Sequence, residues 1–201
     1  DAIERIEIAF RAQLSLVLAF NLSVDWFAQP EHFADINKFE NIINSFKKEL
    51  ALSKEVFIQH FLNKYTETEF PPSWIALEIF TFGQLSSHYS NLKDKKVKQK
   101  VSVHFKVQSS VLESWLHSLS YLRNLCAHHS RIWNRNLGVR PLIPSRKNFN
   151  WLLNQNIHNN KLYFSLCIIQ FLLNTIHPNN TFSEKLIALI DHYPRIDLKP
   201  M

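Results

Sequence analysis

The sequence predicts an all-α fold, and three observations carry that expectation. Apolar residues recur at three- and four-residue spacing almost throughout, the period of helices that bury one face. No segment reads as a convincing β-strand. Only two glycines occur in 201 residues, which argues against hairpins built on tight glycine turns and against glycine-rich phosphate loops. With 46% apolar residues and sixteen Phe, the chain has the material for a large aromatic core.

The elements follow in order. Ile3, Ile6, Phe10, Leu14, Val17 and Leu18 predict an amphipathic helix over residues 1–20. Pro30 breaks the segment after it. Phe39, Ile42, Ile43, Phe46 and Leu50 predict a second helix over 37–50. Ser53, followed by Val56, Phe57, Phe61, Leu62 and Tyr65, reads as the N-cap of a third. Pro71 and Pro72 mark a break, with Pro72 in the first turn of a helix carrying Trp74, Leu77, Ile79 and Phe80. Gly83 is expected to separate that helix from a short one at 84–92. Residues 93–100 hold five lysines and one aspartate. They read either as a solvated helix face or as a surface that tracks phosphates, with Lys95, Lys96 and Lys98 the candidate contacts. A helix at 109–129 comes next, then a loop with Gly138, Pro141 and Pro144. Helices near 148–156 and 160–176 follow. Pro178, Asn179 and Asn180 break the chain before a last helix at 183–192. No internal repeat is visible, and the length fits one domain over 1–201.

The net charge of +6 fits a polyanionic partner, though basic balance alone does not define one. Cys126 and Cys167 lie among apolar residues and form no Cys-x-x-Cys pair, so they read as small buried hydrophobes of a reducing, cytoplasmic protein. The longest apolar runs, Leu14–Phe20 and Leu162–Leu173, fall short of the ~20 residues that span a bilayer. His88, His104 and His117 stand at no ligand spacing and read as surface or half-buried side chains. With no His-Glu-x-x-His or Cys/His cluster, no metal site is expected. The chain opens at Asp1 already in helical pattern, which reads as a beginning that is not the natural one.

The run from Leu122 to Arg135 concentrates the chemistry. It holds Arg123, His128, His129, Arg131 and Arg135 with Asn124 and Asn134, at the end of the clearest apolar helix. On a helical wheel Leu112, Trp115, Leu116, Leu119, Leu122 and Cys126 form one arc, and Arg123 falls inside it. A charge there must pair, with a carboxylate such as Glu113 or Glu78, or line a cleft. His128, five residues on, lies about 140° away on an ideal helix. Arg123 and His128 therefore converge only if the helix unwinds near Ala127 or a second subunit completes the site. His129 is the neighbouring alternative. Either histidine also suits a helix C-terminus as a dipole partner. Trp133 reads as core packing, and Arg131 and Arg135 either as phosphate contacts or as ties to helix ends.

The stretch Arg123-Asn124-Leu125-Cys126-Ala127-His128-His129-Ser130-Arg131-Ile132-Trp133-Asn134-Arg135 closely resembles the hallmark of the Abi-like proteins, the bacterial abortive-infection family that includes the AbiD and AbiF types. Residues 2–11, Pro72-Ser73-Trp74 with Glu78, Phe82-Gly83-Gln84-Leu85-Ser86, Asn91-Leu92-Lys93 and Ser114-Trp115-Leu116 resemble further segments of that family, so the likeness spans residues 1–141. The family normally has a segment before this start.

The resemblance implies membership of the HEPN superfamily, helical bundles with an Arg-x4-6-His motif whose active members are metal-independent endoribonucleases. Arg123 with His128 or His129 fits that spacing, and Asn124 is the polar residue that follows the arginine. It further implies a homodimer with a composite site, no cofactor, RNA as substrate, and an inhibitory RNA or antitoxin as a further partner. On this reading His128 is general acid or base, a role histidine's ordinary pKa of about 6.5 suits. Arg123 steadies the phosphorane, and Asn124 orients Arg123, His128 or the phosphate by hydrogen bonding. The alternative is a non-catalytic HEPN protein that binds RNA or serves a toxin–antitoxin pair.

Overall fold

The computed structural model describes residues 1–145 and 158–193. Among the described residues it is helical with no strand, and one isolated antiparallel bridge joins Phe33 to Leu92. The all-α expectation holds. The helix expected near 148–156 lies outside the described residues.

The first helix, α1 (Ala2–Asn21), buries Ile6, Phe10, Leu14 and Leu18, a row repeating every fourth residue. Burying such side chains stabilises by at most about 1.5–3 kcal/mol each. Short 3-10 turns at Trp26–Ala28 and Pro30–His32 lead into α2 (Ile36–Leu52), whose N-cap Asp35 accepts from the Lys38 amide. Then come α3 (Val56–Lys64), α4 (Ser73–Ala76), α5 (Phe82–Asn91) and α6 (Lys95–His104). The motif helix α7 (Ser109–Ala127), α8 (Leu162–Ile176) and α9 (Phe182–His192) complete the described order. The helix α7 packs on α5 and α6, and α1 on α8, α6 and α4.

Two boundaries differ from the sequence expectation. Ser53 does not cap α3. It follows the last residue of α2, and its hydroxyl accepts from the Glu55 amide, while Glu55 is the N-cap of α3. Gly83 does not separate helices either. The break lies at residues 77–81, where Thr81 and Gln84 form a reciprocal capping box that starts α5 ahead of Gly83. Gly83 is small for a packing reason: a Cβ there would stand 3.3 Å from Ser120 Oγ on α7. It therefore sets how closely α5 approaches the motif helix.

The aromatic core encloses a histidine. His88 is fully buried, against the surface or half-buried setting expected of it. Trp26, Phe33, Phe39 and Phe80 surround its ring, with Phe33 at 4.5 Å between centroids. Its Nε2 lies 2.9 Å from the Phe27 carbonyl oxygen, which can only accept, so Nε2 carries the proton. Burial lowers its pKa to about 4, so the ring is neutral at pH 7.

Candidate active site at the end of α7

The helix α7 obeys the wheel as far as Leu122. Leu112, Trp115, Leu116, Leu119 and Leu122 are buried, and the Trp115 indole donates to the Leu142 carbonyl at 2.9 Å, tying the following loop to the helix. Beyond Leu122 the cover ends. Cys126 and Arg123 lie on the apolar arc, yet both are exposed. The two carboxylates that could have paired with Arg123 are engaged elsewhere. Glu113 takes Lys98 at 2.7 Å, and Glu78 takes Arg11 at 3.4 Å. Among the described residues no carboxylate pairs with Arg123. It lines a cleft instead, an open groove of about 1450 Å³ that it shares with Cys126, Arg11, Glu78 and Trp74.

The turn between Arg123 and His128 stays helical, the His128 amide still donating to the Asn124 carbonyl at 3.0 Å, so the unwinding that would swing His128 toward Arg123 on one chain is not seen. The helix stops at Ala127, and His128 has φ −90° and ψ 14°. His129 follows in the left-handed region at φ 51°. The Ser130 amide donates to the Leu125 carbonyl at 2.9 Å and the His129 amide to the Cys126 carbonyl at 3.0 Å. This pair of bonds is a Schellman cap, whose left-handed position is usually glycine. Here a histidine occupies it, a backbone cost that glycine would not incur. Arg123, Asn124, His128 and His129 all end up exposed around one helix terminus. Among the described residues no hydrogen bond joins Arg123 to either imidazole.

The flanking cations divide. Arg131 is exposed, and Arg135 is half-buried with a 3.5 Å contact from Nη1 to the Arg131 carbonyl, at the outer limit of a hydrogen bond. Lys95 and Lys96 are exposed on the first turn of α6. Lys98 is a correction: it is buried, its ammonium bound to Glu113 and donating to the Ser90 carbonyl at 2.9 Å, over the Tyr89 ring. It lies on the inner face of α6 with Val97, Val101 and Ser102, where an ion pair between helices satisfies it, so it is not open to a phosphate. Two further expectations change. Trp133 is half exposed rather than core, and the cysteines, though free as expected, are not buried: Cys126 is exposed and Cys167 half-buried. For Trp133 and Cys126 the reason is shared: the end of α7 and the loop that follows it lie largely at the surface, whereas Cys167 sits on α8 at the margin of that helix's buried face.

Sequence reasoning passed over Arg11, which organises the wall opposite the motif. Its guanidinium holds Glu7 at 3.0 Å, Glu78 at 3.4 Å and the Phe80 carbonyl at 3.3 Å, linking α1 to the segment after α4. Its position one turn after Glu7 was the available signal. Among the described residues no three His, Cys, Asp or Glu side chains are grouped to hold a metal ion, and no helix is long and apolar enough to cross a membrane.

The fold and the site define a class: an all-α protein whose core helix ends in an exposed cluster of arginine, asparagine and histidine. Residues 1–134, which include all of α1 to α7 and the cluster itself, match the Abi-like protein family, and the chain belongs to that family, named for abortive infection. Comparisons with curated proteins and with solved structures gave no significant match.

Proposed function

We propose that this chain is a metal-independent endoribonuclease of bacterial abortive-infection defence, acting in the cytoplasm as a HEPN-type homodimer. One observation carries the reading: Arg123, Asn124, His128 and His129 are all exposed at the end of α7, and no carboxylate neutralises Arg123 among the described residues. An arginine left unpaired on the same helix end as two exposed imidazoles is suited to an anionic substrate.

In this mechanism the 2′-oxygen of RNA forms a bond to the adjacent phosphorus as the P–O5′ bond breaks. An imidazole, His128 in the assignment preferred here, takes the 2′ proton. A second donor, the histidine of the other copy or water, supplies a proton to the 5′-oxygen. Arg123 meets the charge that grows on the phosphorane, and Asn124 orients it. Arg131, Arg135, Lys95 and Lys96 serve as phosphate contacts that hold the strand. The products are a 2′,3′-cyclic phosphate and a 5′-hydroxyl, and DNA, lacking the nucleophile, is inert.

The test uses purified protein and labelled single-stranded RNA in excess chelator. Arg123→Ala and His128→Ala should each slow cleavage by at least about a hundred-fold. Circular dichroism and thermal unfolding should stay as in the parent. Cleavage by both variants at the parent's rate would overturn the nuclease reading, and salt-sensitive RNA binding with no product would favour a protein that grips RNA without cutting it.

A further inference from the structure

The loop that leaves α7 treats two adjacent apolar residues oppositely. Ile132 packs against the core and lines the groove that Arg123 also lines, while Trp133 is 50% exposed. The chain turns at Trp133 and Asn134, and Asn134 has φ 49°, a left-handed conformation that asparagine adopts more readily than most residues. The turn is held on both sides. Before it, the Ser130 amide donates to the Leu125 carbonyl at 2.9 Å. After it, Leu137 is buried, and its amide donates to the Asn160 carbonyl at 2.7 Å. Trp133 follows Ser130 by three residues, so its backbone lies within about 11 Å of that tie to the last turn of α7. A single exposed apolar residue needs no explanation by itself. This one is large, held by a fixed turn and placed beside the arginine and histidine cluster.

Charge indicates what the indole faces. No Asp or Glu occurs from Ser114 to Ser183, seventy residues that carry seven Lys and Arg. The rest of the chain holds sixteen Lys and Arg against seventeen Asp and Glu. The positive balance of the whole chain therefore comes from this one stretch, and Trp133 lies inside it, with Arg131 and Arg135 two residues away on either side. The carboxylates of the nearby groove belong to its opposite wall, where Arg11 holds Glu7 and Glu78. An aromatic ring set among arginines is the pattern of surfaces that bind single-stranded nucleic acid, in which rings stack bases and cations follow phosphates.

We propose that Trp133 is the platform on which one base of a single-stranded RNA stacks while the strand passes on to Arg123. The proposal rests on the functional reading above for RNA as the ligand, and it adds the residue that selects an unpaired base. Stacking accepts any base, since each has a π face, but the base must be free of its helix. Trp133 therefore favours single strands over duplexes without choosing a sequence. A lipid surface is the less suitable occupant: Asn134 and Asn136 beside the indole are exposed and polar, where a bilayer surface takes a continuous apolar face.

The test uses the full chain and a short single-stranded RNA carrying 2′-O-methyl groups. That RNA has no nucleophile, so binding is read whether or not the protein cuts. Trp133→Ala should weaken binding at least about five-fold, and Trp133→Phe should recover most of the loss. Inorganic polyphosphate, which has charge and no bases, should bind the parent and Trp133→Ala alike, which a merely structural role for the ring would not give. Binding of the RNA should quench tryptophan fluorescence in the parent and far less in Trp133→Phe. RNA that binds Trp133→Ala as tightly as the parent overturns the proposal. So does an equal loss of polyphosphate binding. Quenching that persists in Trp133→Phe and vanishes in Trp74→Phe also overturns it, and moves the platform to the groove residue Trp74. A parent that binds phosphatidylserine vesicles and no RNA overturns it in favour of a membrane surface. RNA gripped through Trp133 and never cut spares the platform and sinks the nuclease, whereas cleavage of ordinary RNA with a KM indifferent to Trp133→Ala does the reverse.

Discussion

The same residue types meet opposite treatment at two places in this molecule. Around α5 and α6, His88 and Lys98 are enclosed and provided for: the imidazole donates to a carbonyl within a box of aromatic rings, and the ammonium pairs with Glu113. At the end of α7, Arg123, His128 and His129 are exposed, and nothing described neutralises the arginine. The first pair is spent on the fold. The second set is left available for a ligand, and the difference lies in whether a neighbouring helix supplies a partner, since the side chains are chemically alike. Buried groups of this kind should reveal themselves in stability, and exposed ones in activity.

The largest test of that division is Lys98→Ala. It leaves Glu113 without its cation at a site the lysine had largely closed, and should cost about 3 kcal/mol in denaturant unfolding. Arg123→Ala should cost no more than about 0.5 kcal/mol in the same assay. Equal losses would erase the distinction between the two sites. Acid should act next, through His88. Its pKa is about 4 in the fold because burial disfavours the charged ring, against about 6.5 when unfolded. Between those values the unfolded chain binds more protons, so stability is full above pH 6.5 and falls as the pH drops to about 4. The loss amounts to about 3 kcal/mol, and the slope should flatten in His88→Gln, which remains neutral. An unaltered slope in that variant would place the acid sensitivity elsewhere.

The smallest effect concerns the strained turn. His129→Gly removes a side chain from a left-handed position and should stabilise the protein by up to about 1 kcal/mol. If His128 is the acting imidazole, cleavage should survive this change. Loss of cleavage with a gain in stability would move the chemistry to His129.

Much of the helix content was legible because it rests on local spacing. The row through Ile6, Phe10, Leu14 and Leu18 and the arc from Leu112 to Leu122 need no tertiary information to be read. The start of α5 was equally local, since Thr81 and Gln84 have capping-box spacing, yet Gly83 drew the boundary to itself. A glycine can break a helix or let one pass close to another, and only the distance to Ser120 decides between them. Lys98 was partly legible. It neighbours Val97 and lies one turn before Val101, but Glu113 belongs to a helix whose approach the sequence does not specify.

By itself, then, the sequence determined the helical periods, the family likeness that the match over residues 1–134 supports, and the requirement that α7 unwind before Arg123 and His128 could act together on one chain. Those follow from residue order and from the fixed turn of an α-helix. The tertiary structure decided which charges are satisfied. It gave Glu113 to Lys98 and Glu78 to Arg11, put His88 in the core, and left Arg123 on the wall of an open groove. Pairing depends on what lies across a gap between helices, and spacing along a single helix carries no information about that gap.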